Sequence, residues 1–215
     1  VDPDVDRLAL VCENGEMFGE EYTLVSVADY ILSKTHGNAV SNLSSSQALR
    51  DIAEKHGGQY FSSAVGEVNV VAKMKEVNAV IGGEGNGGVI FPEFHYGRDA
   101  LIGIALFLTY LANKKIKASE LRSTYPDYFM SKNKIELTPN INIGEIFEKI
   151  KQKYSSQRIT DIDGVKIDFD SEKKWVLLRK SNTEPIIRVY SEANDTATAD
   201  ELAKKIIDDI NKFIY

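Results

Sequence analysis

The sequence predicts an α/β domain with a mixed, largely parallel sheet between helices, followed by a smaller α+β domain with an antiparallel sheet. Three observations lead to it. From Ser26 to Asn113 helical and strand-like segments alternate, as they do where a parallel sheet is covered by helices. Between Gly164 and Tyr190 lie three short runs rich in β-branched and aromatic residues, separated by polar turns. On both sides of those runs apolar residues fall at helical spacing: Ile143, Ile146, Phe147, Ile150 and Tyr154 before them, and Leu202, Ile206, Ile210 and Ile214 after.

The elements follow in order. Leu8-Ala9-Leu10-Val11 reads as a short buried strand, and Glu13-Asn14-Gly15 turns the chain. Val27 to Lys34 is expected to be helical, Ala39 to Leu43 extended, Ser44 to His56 helical and Gln59 to Val65 extended. Val68 to Val77 then reads as helix, Ala79 to Gly82 and Val89 to Phe94 as strands, and Asp99 to Asn113 as helix. Ser119 to Pro139 has no clean period and reads as a linker that packs against its neighbours. Residues 143 to 155 form an amphipathic helix, Gly164 to Phe169, Trp175 to Arg179 and Ile186 to Tyr190 form strands, and the last segment closes the domain as a helix.

With 215 residues the chain can bury a sizeable core, and two domains are expected. A composition of 43% hydrophobic and 27% charged residues is that of a globular protein without a bias to disorder. The net charge of −6 and a pI near 5.2 argue against a nucleic-acid partner, which needs clustered Lys and Arg. The longest apolar run, Ala100 to Ala112, is too short to span a membrane, so no membrane partner is expected. A lone Cys12 excludes an intrachain disulfide and a cysteine-rich zinc site, which suits the cytoplasm. The chain opens inside a functional-looking loop with no initiator Met, and it is expected to be a fragment of a longer protein.

Three loops could carry chemistry. The first, Asp2-Pro3-Asp4-Val5-Asp6-Arg7, crowds three carboxylates that repel one another unless a cation sits among them, and Mg2+ is the hard cation that suits such oxygens. A calcium-binding EF-hand loop also has alternating Asp, and Glu13 falls at its twelfth place, but Arg7 stands where its obligatory Gly would be. A solvated acidic turn is the remaining alternative. The second loop is Gly82-Gly83-Glu84-Gly85-Asn86-Gly87-Gly88. Taken alone it is a hairpin turn, and it does not fit a dinucleotide-binding pattern; yet Glu84 and Asn86 supply a carboxylate and an amide suited to vicinal sugar hydroxyls. The third is Arg179-Lys180-Ser181-Asn182-Thr183-Glu184-Pro185 with Arg188 beyond it, either an exposed polar hairpin or a phosphate cradle of guanidinium, hydroxyl and backbone N–H groups. His36 and His56 end helical segments beside glycine and read as capping or surface residues, whereas His95, near Tyr96 and Arg98, is ambiguous. No nucleophile with a paired base and no metal-spaced His or Cys cluster stands out.

The order D-P-D-x-D-R, G-E-G-N-G-G and R-x-S-N-T-E-P with a following Arg resembles the α-D-phosphohexomutase superfamily, which interconverts sugar 6-phosphates and 1-phosphates. The likeness runs through nearly the whole chain. It implies that Asp2, Asp4 and Asp6 are Mg2+ ligands and that Arg7 supports a phosphorylated serine. It further implies that Glu84 and Asn86 contact sugar hydroxyls, and that Arg179, Ser181, Asn182, Thr183 and Arg188 hold the non-reacting phosphate. Residues 1–14 would be the tail of a metal-binding second domain, 15–120 the sugar-binding third, 121–134 a linker and 135–215 the phosphate-binding fourth. The first domain, which carries the phosphoserine in that family, would lie outside the chain, so this piece alone should not turn over. Ser44-Ser45-Ser46 lacks the pattern of that serine loop and reads as a helix N-terminus.

Many members end the sugar loop with Ser-Gly-His, whereas Asn86-Gly87-Gly88 here has no histidine. Val40-Ser41-Asn42-Leu43 and Val65-Gly66-Glu67 look like the phosphoglucosamine mutase branch, and the glycine-ending loop is also similar to mutases of mannose and glucose phosphates. The implied function is interconversion of glucosamine 6-phosphate and 1-phosphate. The alternatives are a phosphomannomutase/phosphoglucomutase or a non-catalytic phosphosugar-binding module.

Overall fold

A computed structural model describes residues 1–137, 141–181 and 183–214. It divides into two units, Val1–Pro126 and Asp127–Tyr215. The first contains α1 (Glu20–Leu32), β1 (Asn38–Asn42), α2 (Ala48–Lys55), β2 (Tyr60–Ser63), α3 (Glu67–Glu76), β3 (Ala79–Glu84), β4 (Gly88–Ile90), α4 (Ala100–Lys114) and α5 (Ala118–Arg122). Its sheet runs β2-β1-β3-β4, parallel except for the β3/β4 hairpin. A parallel strand is buried on both faces and reads as a continuous run, which is why Ala39, Val40, Ser41 and Asn42 are all buried although two of them are polar.

Neighbouring residues of a strand point to opposite faces. At Gly82 an added Cβ would meet Met74 of α3, and at Gly83 it would meet Leu24 of α1, so the two helices cover opposite faces of β3 and both lie close to its backbone. α1 also packs against α2 and α4, and almost every residue from Tyr22 to Leu32 is buried. This explains why periodicity marked only its C-terminal half: a helix enclosed on all sides has no polar face to reveal its start. α1 begins at Glu20, seven residues before the expected Val27.

Leu8 to Val11 does not form the expected strand. Val11 makes an isolated antiparallel bridge to Met17, and Phe18 N–H donates to Leu10 O (2.9 Å), so the segment closes a small hairpin instead of joining the sheet. Leu8 N–H, in turn, donates to the carbonyl of Gly87 (3.0 Å).

The second unit has β5 (Phe129–Glu136), α6 (Ile143–Lys153), β6 (Arg158–Thr160), β7 (Val165–Phe169), β8 (Lys174–Lys180), β9 (Ile186–Ala193) and α7 (Thr196–Ile214). The sheet order is β5-β9-β8-β7-β6, antiparallel throughout. Val165, Ile167, Val176, Leu178, Ile187 and Val189 line the face that packs against Ile146 and Ile150 of α6 and Leu202, Ile206 and Ile210 of α7. Two edge strands lie outside the expected set. β5 pairs with β9 over eight residues inside the stretch read as a packed linker, and α5 precedes it, so helix and strand occupy part of that stretch. Its Ser131-Lys132-Asn133-Lys134 suits an edge strand, where lysines discourage further pairing but erase the apolar signal. Among the described residues no helix is long and apolar enough to cross a membrane.

Candidate functional site

The acidic loop is a tight turn. Val5 N–H donates to Asp2 O (3.1 Å), Val5 takes a left-handed φ of 58°, and the backbone N–H groups of Asp6 and Arg7 both donate to Asp2 Oδ1 (3.2 Å each). Arg7 Nε donates to Asp2 Oδ2 at 2.6 Å, and this hydrogen bond holds the Asp2 carboxyl down to about 2. Asp6, whose Oδ1 lies 3.7 Å from Arg7 Nε, pairs with Arg98 through Oδ2. Its burial, then Asp2 beside it, push its carboxyl up against the pull of that guanidinium. Asp6 Oδ1 is buried without a hydrogen-bond partner among the described residues. Asp4 is exposed.

The glycine loop joins β3 to β4. Glu84 closes β3 and is buried, with both carboxylate oxygens engaged. Oε1 accepts from Asn42 Nδ2 (2.6 Å) and from Gly66 N–H (3.2 Å), and Oε2 accepts from Arg98 Nη1 (2.6 Å). Asn42 is fixed in turn because its Oδ1 accepts from the Ser44 N–H and hydroxyl and from the Ser45 hydroxyl. Ser45 Oγ then accepts from Gly85 N–H (3.0 Å), tying the glycine loop to the turn before α2. The serine run therefore braces the glycine loop as well as standing at the start of a helix. Asn86 Oδ1 accepts from Gly88 N–H (3.2 Å), and Asn86 lines an open cleft of about 320 Å³ with Val1, Asp2, Arg7, Leu8 and Glu20.

Arg98 connects the two loops. Besides Asp6 and Glu84 it reaches Glu67 at the start of α3, through its Nε (3.2 Å) and its backbone N–H (3.1 Å). The next residue, Asp99, caps α4 by accepting from Leu101 and Ile102 N–H (2.7 and 3.0 Å) and also pairs with His95 Nε2 (3.0 Å). The sequence alone assigns no role to Arg98, Glu67 or Asn42. Their only signal is that Asn42 and Glu67 sit inside two segments singled out by resemblance.

Asp2, Asp4 and Asp6 supply only carboxylate oxygens, the donor type a hard divalent cation takes, and Asp6 Oδ1 has no hydrogen-bond donor among the described residues, although Arg7 Nε lies 3.7 Å from it. The described residues nevertheless do not gather three acidic, His or Cys side chains into a ready coordination cluster. Asp2 is held by Arg7 and Asp6 by Arg98.

In the second unit β8 and β9 bring Arg179 and Arg188 directly opposite one another. Cross-strand partners project from the same face, and two like charges there are unfavourable without an anion. Each guanidinium has a carboxylate: Arg179 Nε donates to both Asp163 oxygens (3.0 and 2.9 Å), and Arg188 Nη2 contacts Glu184 at 3.3 Å. Ser181, at the end of β8, is buried and its Oγ accepts from the N–H groups of Thr183 (3.4 Å) and Glu184 (3.3 Å), curling the loop. Thr183 is exposed, and Asn182 lies outside the described residues.

Comparison with known proteins gives the chain a family. Residues 19–128 match the model of phosphoglucomutase/phosphomannomutase α/β/α domain III, and residues 134–209 match that of the C-terminal domain. The chain is 37% identical over 203 residues to a phosphoglucomutase/phosphomannomutase of Thermococcus kodakarensis, covering 93% of this chain and 44% of the relative. It is 36% identical over 218 residues to a phosphoglucosamine/phosphogalactosamine mutase of Sulfurisphaera tokodaii, covering 96% and 47%. The chain thus spans somewhat under half the length of these curated relatives. A phosphoglucomutase/phosphomannomutase family protein from Burkholderia thailandensis has the same fold, with a TM-score of 0.76 at 23% identity over 97% of this chain and 44% of that one. An Aspergillus fumigatus N-acetylphosphoglucosamine mutase, solved with GlcNAc-6P and magnesium, shares it at a TM-score of 0.68 and 16% identity, over 98% and 51%. Because the match runs through both units in the expected order, the chain belongs to the phosphoglucomutase/phosphomannomutase family.

Proposed function

We propose that this chain is the C-terminal part of a Mg2+-dependent phosphohexomutase that interconverts glucosamine 6-phosphate and glucosamine 1-phosphate through an enzyme phosphoserine. The observation that carries this reading is the Arg179–Arg188 pair: two guanidinium groups on one face, beside a loop of hydroxyl groups, suit a doubly charged anion that can take the place of the Asp163 and Glu184 carboxylates. In the reaction, the phosphoserine passes its phosphoryl group to the free sugar hydroxyl and a bisphosphate forms. The bisphosphate then reverses and returns its other phosphoryl group to the serine.

Each residue has a part in that cycle. Arg179, Ser181, Thr183 and Arg188, with Asn182, hold whichever phosphate is not reacting. Asn86 and Glu84 orient the sugar hydroxyls, Glu84 through the lone pair left on Oε2, which takes a single protein donor from Arg98, and Arg7 neutralises charge at the transferring group. Asp2, Asp4 and Asp6 would hold Mg2+, which supplies charge neutralisation at the phosphoryl oxygens. Asp163 and Glu184 occupy the two clamp arginines in the absence of phosphate, so substrate must displace them, and the clamp is expected to favour dianionic over monoanionic ligands.

A coupled assay of the longer protein that carries this chain tests the proposal, with glucosamine 6-phosphate, glucose 6-phosphate and mannose 6-phosphate as alternative substrates. Turnover is expected to be fastest with glucosamine 6-phosphate and to need Mg2+; the 215-residue chain alone is expected to be inactive and to bind Mg2+ weakly. Faster turnover of mannose or glucose phosphate would replace the aminosugar assignment, and binding of phosphosugar without turnover in the longer protein would make it a binding module.

A further inference from the structure

We propose that Arg98 is a positioning residue that fixes the acidic-loop carboxylate Asp6 and the sugar-loop carboxylate Glu84 in one frame, and that residue 88 is glycine because Arg98 occupies the space its side chain would need. The inference rests on the mutase reading for its consequence in turnover, and on geometry for the rest. Each edge of the guanidinium meets a different carboxylate, with Nη2 on Asp6, Nη1 on Glu84 at 2.6 Å and Nε on Glu67 at 3.2 Å. The group is planar and cannot turn toward one partner without leaving another, so it sets the separation of the three carboxylates. Its side chain is 18% exposed and that of Glu84 is 6% exposed, so solvent screens the pair weakly.

A Cβ built on Gly88 would overlap Arg98 Cδ and press on Cγ at 3.1 Å. These atoms lie mid-chain, where no simple rotation of the tip clears them. Glycine at the last position of the sugar loop and arginine at 98 are therefore one device. Two backbone ties hold the same parts in register: Leu8 N–H to Gly87 O and Ala100 N–H to Val5 O, each 3.0 Å, join the acidic loop to the glycine loop and to the start of α4.

The test combines a resonance with a mutant cycle. In the 215-residue chain the Nε–Hε signal of Arg98 should be resolved and exchange slowly, and Gly88→Ala should broaden or shift it. In the longer protein Arg98→Met should lower kcat/KM for the sugar phosphate about a hundredfold and Gly88→Ala about tenfold. The double variant should then be no worse than Arg98→Met, because side chains that act as one unit are not additive. Arg98→Lys should fail to restore the rate, since a single ammonium cannot span three carboxylates. An Arg98 signal unmoved by Gly88→Ala, or additive losses in the double variant, would overturn the proposal. A wild-type protein inactive on every phosphosugar would instead refute the mutase reading, and the resonance in the 215-residue chain would still decide the Arg98 assignment.

Discussion

Replacing Glu84 with Gln keeps the shape of the side chain and removes its capacity to accept on both sides. The native carboxylate faces only donors: Asn42 Nδ2 at 2.6 Å and Gly66 N–H at 3.2 Å on one oxygen, Arg98 Nη1 at 2.6 Å on the other. A glutamine amide must point its NH2 at one of these sets, so at least one donor loses its acceptor in a buried place. A hydrogen bond to a charged group contributes about 1.5–3 kcal/mol net, and an unsatisfied buried group costs about 1–3 kcal/mol. Arg98 retains Asp6 and Glu67, which limits the damage on that side. The expected loss is about 3 kcal/mol, or roughly a hundredfold in the opening equilibrium of the surrounding sheet. Amide hydrogen exchange at β1 and β3, where Val40 pairs with Gly82 and Ser41 with Gly83, reads that loss locally, and urea unfolding reads it globally. A change below about 1 kcal/mol by both measures would refute the view that Glu84 is held by these three donors.

Three further outcomes follow from other contacts. Asp29 of α1 is buried; burial alone would raise its pKa, but hydrogen bonds from Tyr110 (2.5 Å) and His56 (2.7 Å), with Lys55, hold it below the ordinary value. Because the folded state binds this proton less well than the unfolded one, the stabilisation is present above about pH 4 and lost as pH falls further; the stability gap between wild type and Asp29→Asn should close in acid unfolding below that point. Gly164 has φ 84°, and a Cβ there would overlap the carbonyl oxygen of Leu178, so Gly164→Ala should lower the unfolding free energy of the second unit by at least about 2 kcal/mol in urea titrations. Asp99→Ala removes the cap that accepts from Leu101 and Ile102, and a thermal or urea scan should find about 1 kcal/mol lost.

The parts of the fold legible in the sequence are those whose burial is one-sided. The helices α6 and α7 each present an apolar stripe to the sheet and polar residues elsewhere, and their spacing can be read directly. α1 hides its start because it is enclosed, and β5 hides because it is an edge with only Ile135 buried. Leu8 to Val11 misled in the opposite sense. A four-residue apolar run fits a strand, but a strand also needs a neighbour, and the backbone of this segment bonds to Gly87 and within its own hairpin.

The same distinction governs the site. The acidic, glycine and serine-threonine loops are legible because each places its chemistry within ten consecutive residues. Arg98, Glu67 and Asn42 are separated by more than twenty residues from one another and meet only because β1 and β3 are adjacent and α3 and α4 start at the same end of the sheet as Glu84. No local pattern can announce such a meeting; an arginine after a glycine is ordinary surface chemistry until the sheet order is known. The acidic loop changes meaning for the same reason. Read by itself it offers three ligands to a cation, whereas in the folded unit Asp2 is taken by Arg7 and Asp6 by Arg98. A divalent cation entering there must compete with two guanidinium groups already in place, and even Asp6 Oδ1, which among the described residues has no hydrogen-bond donor, lies 3.7 Å from Arg7 Nε.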